Sequence, residues 1–269
     1  MSDWLDVAVV QLNTRHDKHE NLETIERLVG EAATRGARVV ALPEYATYLG
    51  PREAYGRIAE DLDGPTSGLY ARLARDHGIY LHGGSFIERS DVPGKFFNTS
   101  LLLSPQGERL AVYRKIHLFD VSVDATASQR ESEHLTPGGD VVTAKIDGHP
   151  TGFSICYDVR FPELYRALAD RGAEVLFIPA AFTMFTGKDH WEVLLRARAI
   201  ENLAFVVAPG QVGRHEPNGW CYGRSLIADP WGNVLAMAPD LEGVTLARLD
   251  FTALHRMRTS LPALQNRRL

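Results

Sequence analysis

The sequence predicts an α/β layered domain, and three observations predict it: short apolar runs recur along the chain, helical periods alternate with them, and marked turns separate the two. Strand-like runs fall at residues 6–12, 39–42, 79–87, 99–103, 109–114, 141–146, 152–155, 175–178, 205–208, 225–228, 234–238 and 244–249. Runs such as 175–178 and 205–208 are continuously apolar, as strands covered on both faces are. Helical periods fall at 22–35, 69–76, 163–171 and 191–202; in the first, Leu22, Ile25, Leu28, Val29 and Ala32 share one face. Asp63-Gly64-Pro65, Pro105-Gln106-Gly107, Pro137-Gly138-Gly139 and Asp229-Pro230-Trp231-Gly232 mark turns. Residues 119–136 and 182–189 fit neither period and read as loops, each just after a strand end.

The 269 residues are 45% hydrophobic and 23% charged, which suits one folded domain over residues 1–269 with no linker or repeat. A net charge of −5 without basic runs argues against nucleic-acid binding. No apolar stretch is long enough to span a bilayer. The N-terminus is acidic and enters a strand directly, unlike a secretion signal, so the cytoplasm is the expected compartment. Two cysteines without a secretion signal make a structural disulfide improbable. The ten histidines show no close ligand spacing, so a metal site is not expected.

Three apolar runs far apart in sequence each finish in a chemically active side chain: Glu44, Lys115 and Cys156. In open α/β sheets the site lies where strands end. Cys156 sits at a strand-to-helix turn, before the helix opened by Pro162. Such a turn pushes the sulfur out of the sheet, near a helix N-terminus that favours a thiolate. Each residue alone has a plainer reading: a buried thiol, a solvated cap, a surface cation. His117, two residues past Lys115, leaves a Cys–His dyad as the chemical rival. Cys221 lacks the strand-end setting and reads as an ordinary thiol. Arg160 could pair with Asp158 or Glu163, or offer a cation to a substrate carboxylate. His190-Trp191 reads as a helix start, and Arg196 and Arg198 could pair with Glu192 and Glu201 or sit at a dimer interface.

Several segments together resemble the nitrilase (carbon–nitrogen hydrolase) superfamily. They are Leu42-Pro43-Glu44, Tyr113-Arg114-Lys115-Ile116-His117-Leu118-Phe119-Asp120 and Cys156-Tyr157-Asp158-Val159-Arg160-Phe161-Pro162-Glu163. Ala181-Phe182-Thr183, Thr186-Gly187, Arg196-Ala197-Arg198-Ala199-Ile200-Glu201 and Tyr222-Gly223 follow in the same order. Within the superfamily the chain looks like the Nit branch of amidases: true nitrilases typically place Trp-Glu after the nucleophile, where this chain has Tyr157-Asp158.

The resemblance implies a four-layer αββα sandwich, completed to αββα–αββα in a homodimer, and a cofactor-independent amidase acting on a small-molecule amide. The substrate would be deaminated glutathione or the ω-amide of a keto acid. It implies a Glu44–Lys115–Cys156 triad, with Glu131 as an auxiliary carboxylate and Glu133 as its rival. The loop at 121–130 departs from the Pro-Gly sequence usual there. Tyr157 would offer a backbone N–H to the oxyanion, and Arg160, Phe182, Thr183 and Thr186 would line the substrate pocket. Hydrolysis of an N-carbamoyl compound or a nitrile on the same triad, and a catalytically silent binding protein on this fold, are the alternatives.

Overall fold

The computed structural model describes residues 3–122, 128–217 and 219–268. In chain order the elements are β1 (Trp4–Gln11), α1 (Lys18–Thr34), β2 (Val39–Ala41), α2 (Tyr55–Ile58), α3 (Pro65–His77), β3 (Tyr80–His82), β4 (Phe86–Arg89), β5 (Phe96–Leu103), β6 (Arg109–Arg114), β7 (Asp120–Ser122), β8 (Ser128–Arg130), β9 (Thr143–Ile146) and β10 (His149–Phe153). They continue with α4 (Pro162–Asp170), β11 (Val175–Phe177), α5 (Met184–Asn202), β12 (Phe205–Ala208), β13 (Val212–His215), β14 (Gly219–Tyr222), β15 (Leu226–Ala228), β16 (Val234–Met237), β17 (Gly243–Asp250) and α6 (Phe251–Ser260).

Two sheets form the centre. The first runs β17-β1-β2-β3-β5, with β4 and β6 also paired to β5; the second runs β16-β15-β12-β11-β10-β9. The period of two decides which side chain goes where. Ala8, Val10 and Val40 pack with Ile25, Leu28 and Val29 of α1 and Leu73 and Ala74 of α3. Their neighbours Val7, Val9, Val39 and Ala41 point the other way, into the core shared with Phe153, Val175 and Phe177 of the second sheet. Leu164 and Leu168 of α4 and Trp191 and Leu195 of α5 join that core. The result is an αββα sandwich.

At the sheet interface the ring of His82, from β3, stacks on Phe177 at 4.6 Å and on Phe153 at 5.7 Å. Its Nδ1 accepts from the Gly84 N–H, so Nε2 carries the proton toward Ser100 Oγ. Burial lowers its pKa to about 3.

Four boundaries differ from the sequence reading. The run at 79–87 is two strands, because Gly83 and Gly84 turn the chain between them. Most of 182–189 is helix: α5 begins at Met184, not at Trp191. Gly187 hid this start, and the helix needs it, since a Cβ there would lie 2.4 Å from Tyr222 Cβ. Residues 119–136 include the paired strands β7 and β8, although part of the 121–130 loop lies outside the described residues. The β13–β14 hairpin and α6 had no apolar period strong enough to register. No helix among the described residues is long and apolar enough to cross a membrane.

The buried imidazole gives a pH prediction. Between about pH 6.5 and 3, an unfolded His82 binds a proton that the folded one refuses, so stability falls as pH drops through that window. Urea denaturation at stepped pH should therefore show a steeper loss in wild type than in His82→Gln, whatever the variant's stability at pH 7.

Candidate active site

Glu44, Lys115 and Cys156 follow the ends of β2, β6 and β10, and all three line one cavity that opens to solvent. The sequence-predicted Glu131, Tyr157, Arg160, Phe182, Thr183 and Thr186 line it too.

Lys115 is 1% exposed, and its ammonium is divided between two carboxylates. Nζ donates to Glu44 Oε1 at 2.9 Å and to both oxygens of Glu131, at 3.1 and 2.9 Å. Glu44 is held further by the Asn98 amide on Oε1 and the Ala181 backbone N–H on Oε2. Glu131 accepts from the Tyr45 hydroxyl at 2.7 Å and the Phe119 N–H at 2.8 Å. Burial opposes the Lys115 charge, but Glu131 and Glu44 outweigh it and raise its pKa well above the ordinary lysine value. Burial likewise opposes the Glu131 charge, and Lys115 outweighs it, so that the Glu131 pKa is lowered. Glu133 points to solvent; its backbone carbonyl accepts from Lys95. The geometry thus selects Glu131 over Glu133 as the carboxylate beside Lys115.

The turn before Glu44 is possible because residue 84 is glycine. Its φ is +61°, and a Cβ would lie 2.0 Å from the Pro43 carbonyl oxygen. Ser85 then bonds back, its N–H to Pro43 O and its Oγ to the Tyr45 N–H.

Cys156 has φ +49°, a strained conformation for a residue with a side chain. The strain is fixed by Asp158, which is fully buried. Its Oδ2 accepts from the Ile155 N–H at 2.8 Å and the Tyr113 hydroxyl at 2.6 Å; its Oδ1 takes the His117 N–H at 2.9 Å and contacts His117 Nδ1 at 2.7 Å. One carboxylate therefore ties the cysteine turn to the segment carrying Lys115. Arg198 adds a bond from its Nε to the Val159 carbonyl and pairs with Glu201, while Arg196 pairs with Glu192.

The thiol is not poised as a thiolate. Burial raises its pKa well above the ordinary thiol value, the Glu44 carboxylate raises it further, and Lys115 only partly opposes them. The turn after Cys156 is a single short 3-10 turn before α4. A turn this short offers a thiolate little helix-dipole stabilisation.

His117 does not supply a base. Its imidazole is taken by Asp158 and stacks on Phe161 at 3.7 Å, and it is not part of the cavity wall. Arg160 makes neither of the ion pairs expected as its alternative. It contacts His190 Nδ1 at 3.3 Å and lies over the Phe182 and Tyr157 rings, at the cavity. Phe182 does both of its jobs, packing on Trp191 at 5.0 Å while lining the wall, and Thr183 and Thr186 share a hydroxyl contact of 3.0 Å. The Trp191 indole is buried as expected. Cys221, read from sequence as an ordinary thiol, lines the cavity because the β13–β14 hairpin returns it beside Thr183. Sequence reasoning also missed Tyr45, Asn98 and Arg52. Tyr45 alone had a signal, its place directly after Glu44.

A cysteine beside a carboxylate and an ammonium is the equipment of a hydrolase working through its own side chains. The carbon–nitrogen hydrolase family matches residues 6–259, and the chain belongs to it; it is an enzyme that hydrolyses carbon–nitrogen bonds. The deaminated glutathione amidase of Mus musculus is 43% identical over 97% of this chain and 83% of its own length. Nit3 of Saccharomyces cerevisiae, a nitrilase superfamily member, superposes with a TM-score of 0.90 at 30% identity, covering 100% of this chain and 98% of its own. A glutamate-to-glutamine mutant of the amidase from Nesterenkonia sp. AN1 carries the acetamide moiety of fluoroacetamide covalently on its active-site cysteine. It superposes with a TM-score of 0.82 at 27% identity, over 98% of this chain and 94% of that one.

Alkylation by iodoacetamide should report the raised thiol. The rate should keep rising past the pH at which an ordinary thiol, pKa about 8.5, levels off. In Glu44→Gln the curve should move to lower pH, because the carboxylate that pushes the pKa up is gone. A wild-type plateau below pH 8 would mean a resting thiolate.

Proposed function

We propose that this chain is a cysteine amidase that hydrolyses a small carboxylate-bearing amide through a thioester. The observation that carries the reading is the Lys115 ammonium held between Glu44 and Glu131 in the cavity that Cys156 lines. Glu44 takes the thiol proton as the sulfur attacks the amide carbonyl carbon. Lys115 and the Tyr157 N–H stabilise the oxyanion; such donors contribute about 3–4 kcal/mol each. Glu44 returns the proton to the amide nitrogen, the C–N bond breaks, and ammonia or an amine leaves a thioester on Cys156. Glu44 then takes a proton from water, which attacks the thioester, and the departing sulfur recovers a proton as the acid forms. Glu131 keeps Lys115 charged and in place through the cycle.

Arg160 binds the carboxylate of the acyl part, with Phe182, Thr183 and Thr186 beside it. Arg160 has no carboxylate of its own at ion-pair distance among the described residues, which supports this role. The similarity to deaminated glutathione amidases favours deaminated glutathione, or the ω-amide of a keto acid, as substrate. The whole chain works as one domain in the cytoplasm. Pairing of two copies is supported by exposed apolar side chains, Val193 and Ile200 two turns apart on α5 and Trp231 in the turn whose Gly232 meets Ile200.

The test is product release from deaminated glutathione, α-ketoglutaramate, an N-carbamoyl acid and a simple nitrile. Cys156→Ala, Lys115→Ala and Glu44→Gln should each lower turnover of the preferred amide by at least about 10³-fold while remaining folded. Near-normal turnover in Lys115→Ala would overturn the mechanism. Arg160→Ala should raise KM more for a keto-acid amide than for a neutral one; an equal rise for both would remove its carboxylate role.

A further inference from the structure

Besides Lys115 and Arg160 the cavity lining holds a third cation, which the mechanism does not use. Arg52 lies just before α2 and lines the same cavity. Its Nη1 donates to the Arg130 carbonyl at 3.1 Å and its Nη2 to Gln129 Oε1 at 3.2 Å. Both acceptors are neutral, and they engage two of the five N–H donors of a guanidinium. Among the described residues no carboxylate lies at ion-pair distance from it. Arg52 is therefore a cation held by neutral acceptors; among the described residues Asp120 feels its charge, but none pairs with it directly.

The two arginines serve different walls. Arg160 stands with Tyr157, Phe182 and Thr186, next to the cysteine turn and α5. Arg52 is bonded to β8, immediately before Glu131. The remaining charged side chains of the lining are Glu44, Glu131 and Lys115, which together carry one net negative charge and would repel an anion. One arginine offsets that charge for one carboxylate. Two arginines on separate walls suit a molecule with a carboxylate on each side of the bond to be broken.

We propose that Arg52 is a specificity-determining residue that binds an anionic group on the leaving amine, so that the preferred substrate is an N-substituted amide with a carboxylate at both ends. This deepens the reading above and rests on it. It favours deaminated glutathione, whose leaving amine ends in the glycine carboxylate, over a keto-acid ω-amide, which releases only ammonia.

The experiment compares kcat/KM for three substrates in wild type, Arg52→Ala and Arg160→Ala. They are deaminated glutathione, the same compound with its glycine carboxylate converted to a carboxamide, and α-ketoglutaramate. In Arg52→Ala the preference for the carboxylate over the carboxamide should fall about 10- to 100-fold, the size of a lost charge-assisted pair. Arg160→Ala should lower all three substrates alike, because all three share the keto-acid end. An unchanged carboxylate preference in Arg52→Ala, or a loss there that is equal for all three substrates, would overturn the assignment of Arg52. So would a wild type that turns over α-ketoglutaramate and not deaminated glutathione. A wild type that turns over none of the three would instead remove the keto-acid reading itself, and this inference with it.

Discussion

The structure of the site depends on one buried ammonium. Moving a lysine out of water costs several kcal/mol, which only a close and well-bonded counter-charge offsets. Lys115 has two, and they come from opposite directions in the chain. The requirement spreads outward, because each carboxylate needs its remaining lone pairs satisfied. Glu44 reaches the Asn98 amide in the first sheet and the Ala181 N–H beyond β11 in the second. Glu131 reaches Tyr45 and the backbone at Phe119. The charge group therefore fastens the ends of both sheets to each other and holds the start of the 119–136 segment against them. Removing either carboxylate would strip the buried ammonium of acceptors and leave that carboxylate's own donors unmet, so the ionic group behaves as one unit.

Asp158 makes the second tie between the sheets. It takes no part in the charge group, yet it fixes the distance between that group and the thiol by holding Tyr113, His117 and the Ile155 N–H at once. Charge and nucleophile are thus set by separate anchors. The positive φ at Cys156 is maintained because the residues on either side of it are bonded, Ile155 to Asp158 and Val159 to Arg198.

Glu44, Lys115 and Cys156 were legible in the sequence because each ends an apolar run, and a strand end is a position that periodicity can locate. The sandwich was legible for the same reason, since 175–178 and 205–208 have the composition of strands covered on both faces. What was hidden depends on contacts far apart along the chain. Asn98 is 54 residues from Glu44, Tyr45 is 86 from Glu131, and Tyr113 is 45 from Asp158. No local pattern announces such pairs. The place of Cys221 had no local signal because its strand is short and mixed in character, and only the hairpin register brings it beside Thr183. The start of α5 was misread because Gly187 signals a break locally, whereas packing against Tyr222 makes it a condition of the helix. The helix N-terminus at Cys156 was legible as a force that favours a thiolate, but the turn there is short. Burial and the adjacent Glu44 charge raise the thiol's pKa against Lys115, a balance set by folded neighbours and not by the local sequence.

That last balance bears on the chemistry. An amide nitrogen is a much poorer leaving group than a thiolate, so an adduct formed by a free thiolate collapses backward unless the nitrogen receives a proton first. A site that stabilised the thiolate at rest would have released that proton to solvent before substrate arrived. Burial and Glu44 raise the thiol's pKa, so in the proposed mechanism the proton stays one transfer away from the carboxylate that would deliver it to nitrogen. Lys115 cannot donate in its place, because its two carboxylates hold its own proton more firmly than usual. In the proposed mechanism the net negative charge of Glu44, Glu131 and Lys115 therefore works as a proton store. It slows formation of the nucleophile and ensures that, once the adduct forms, the bond to nitrogen is the one that breaks.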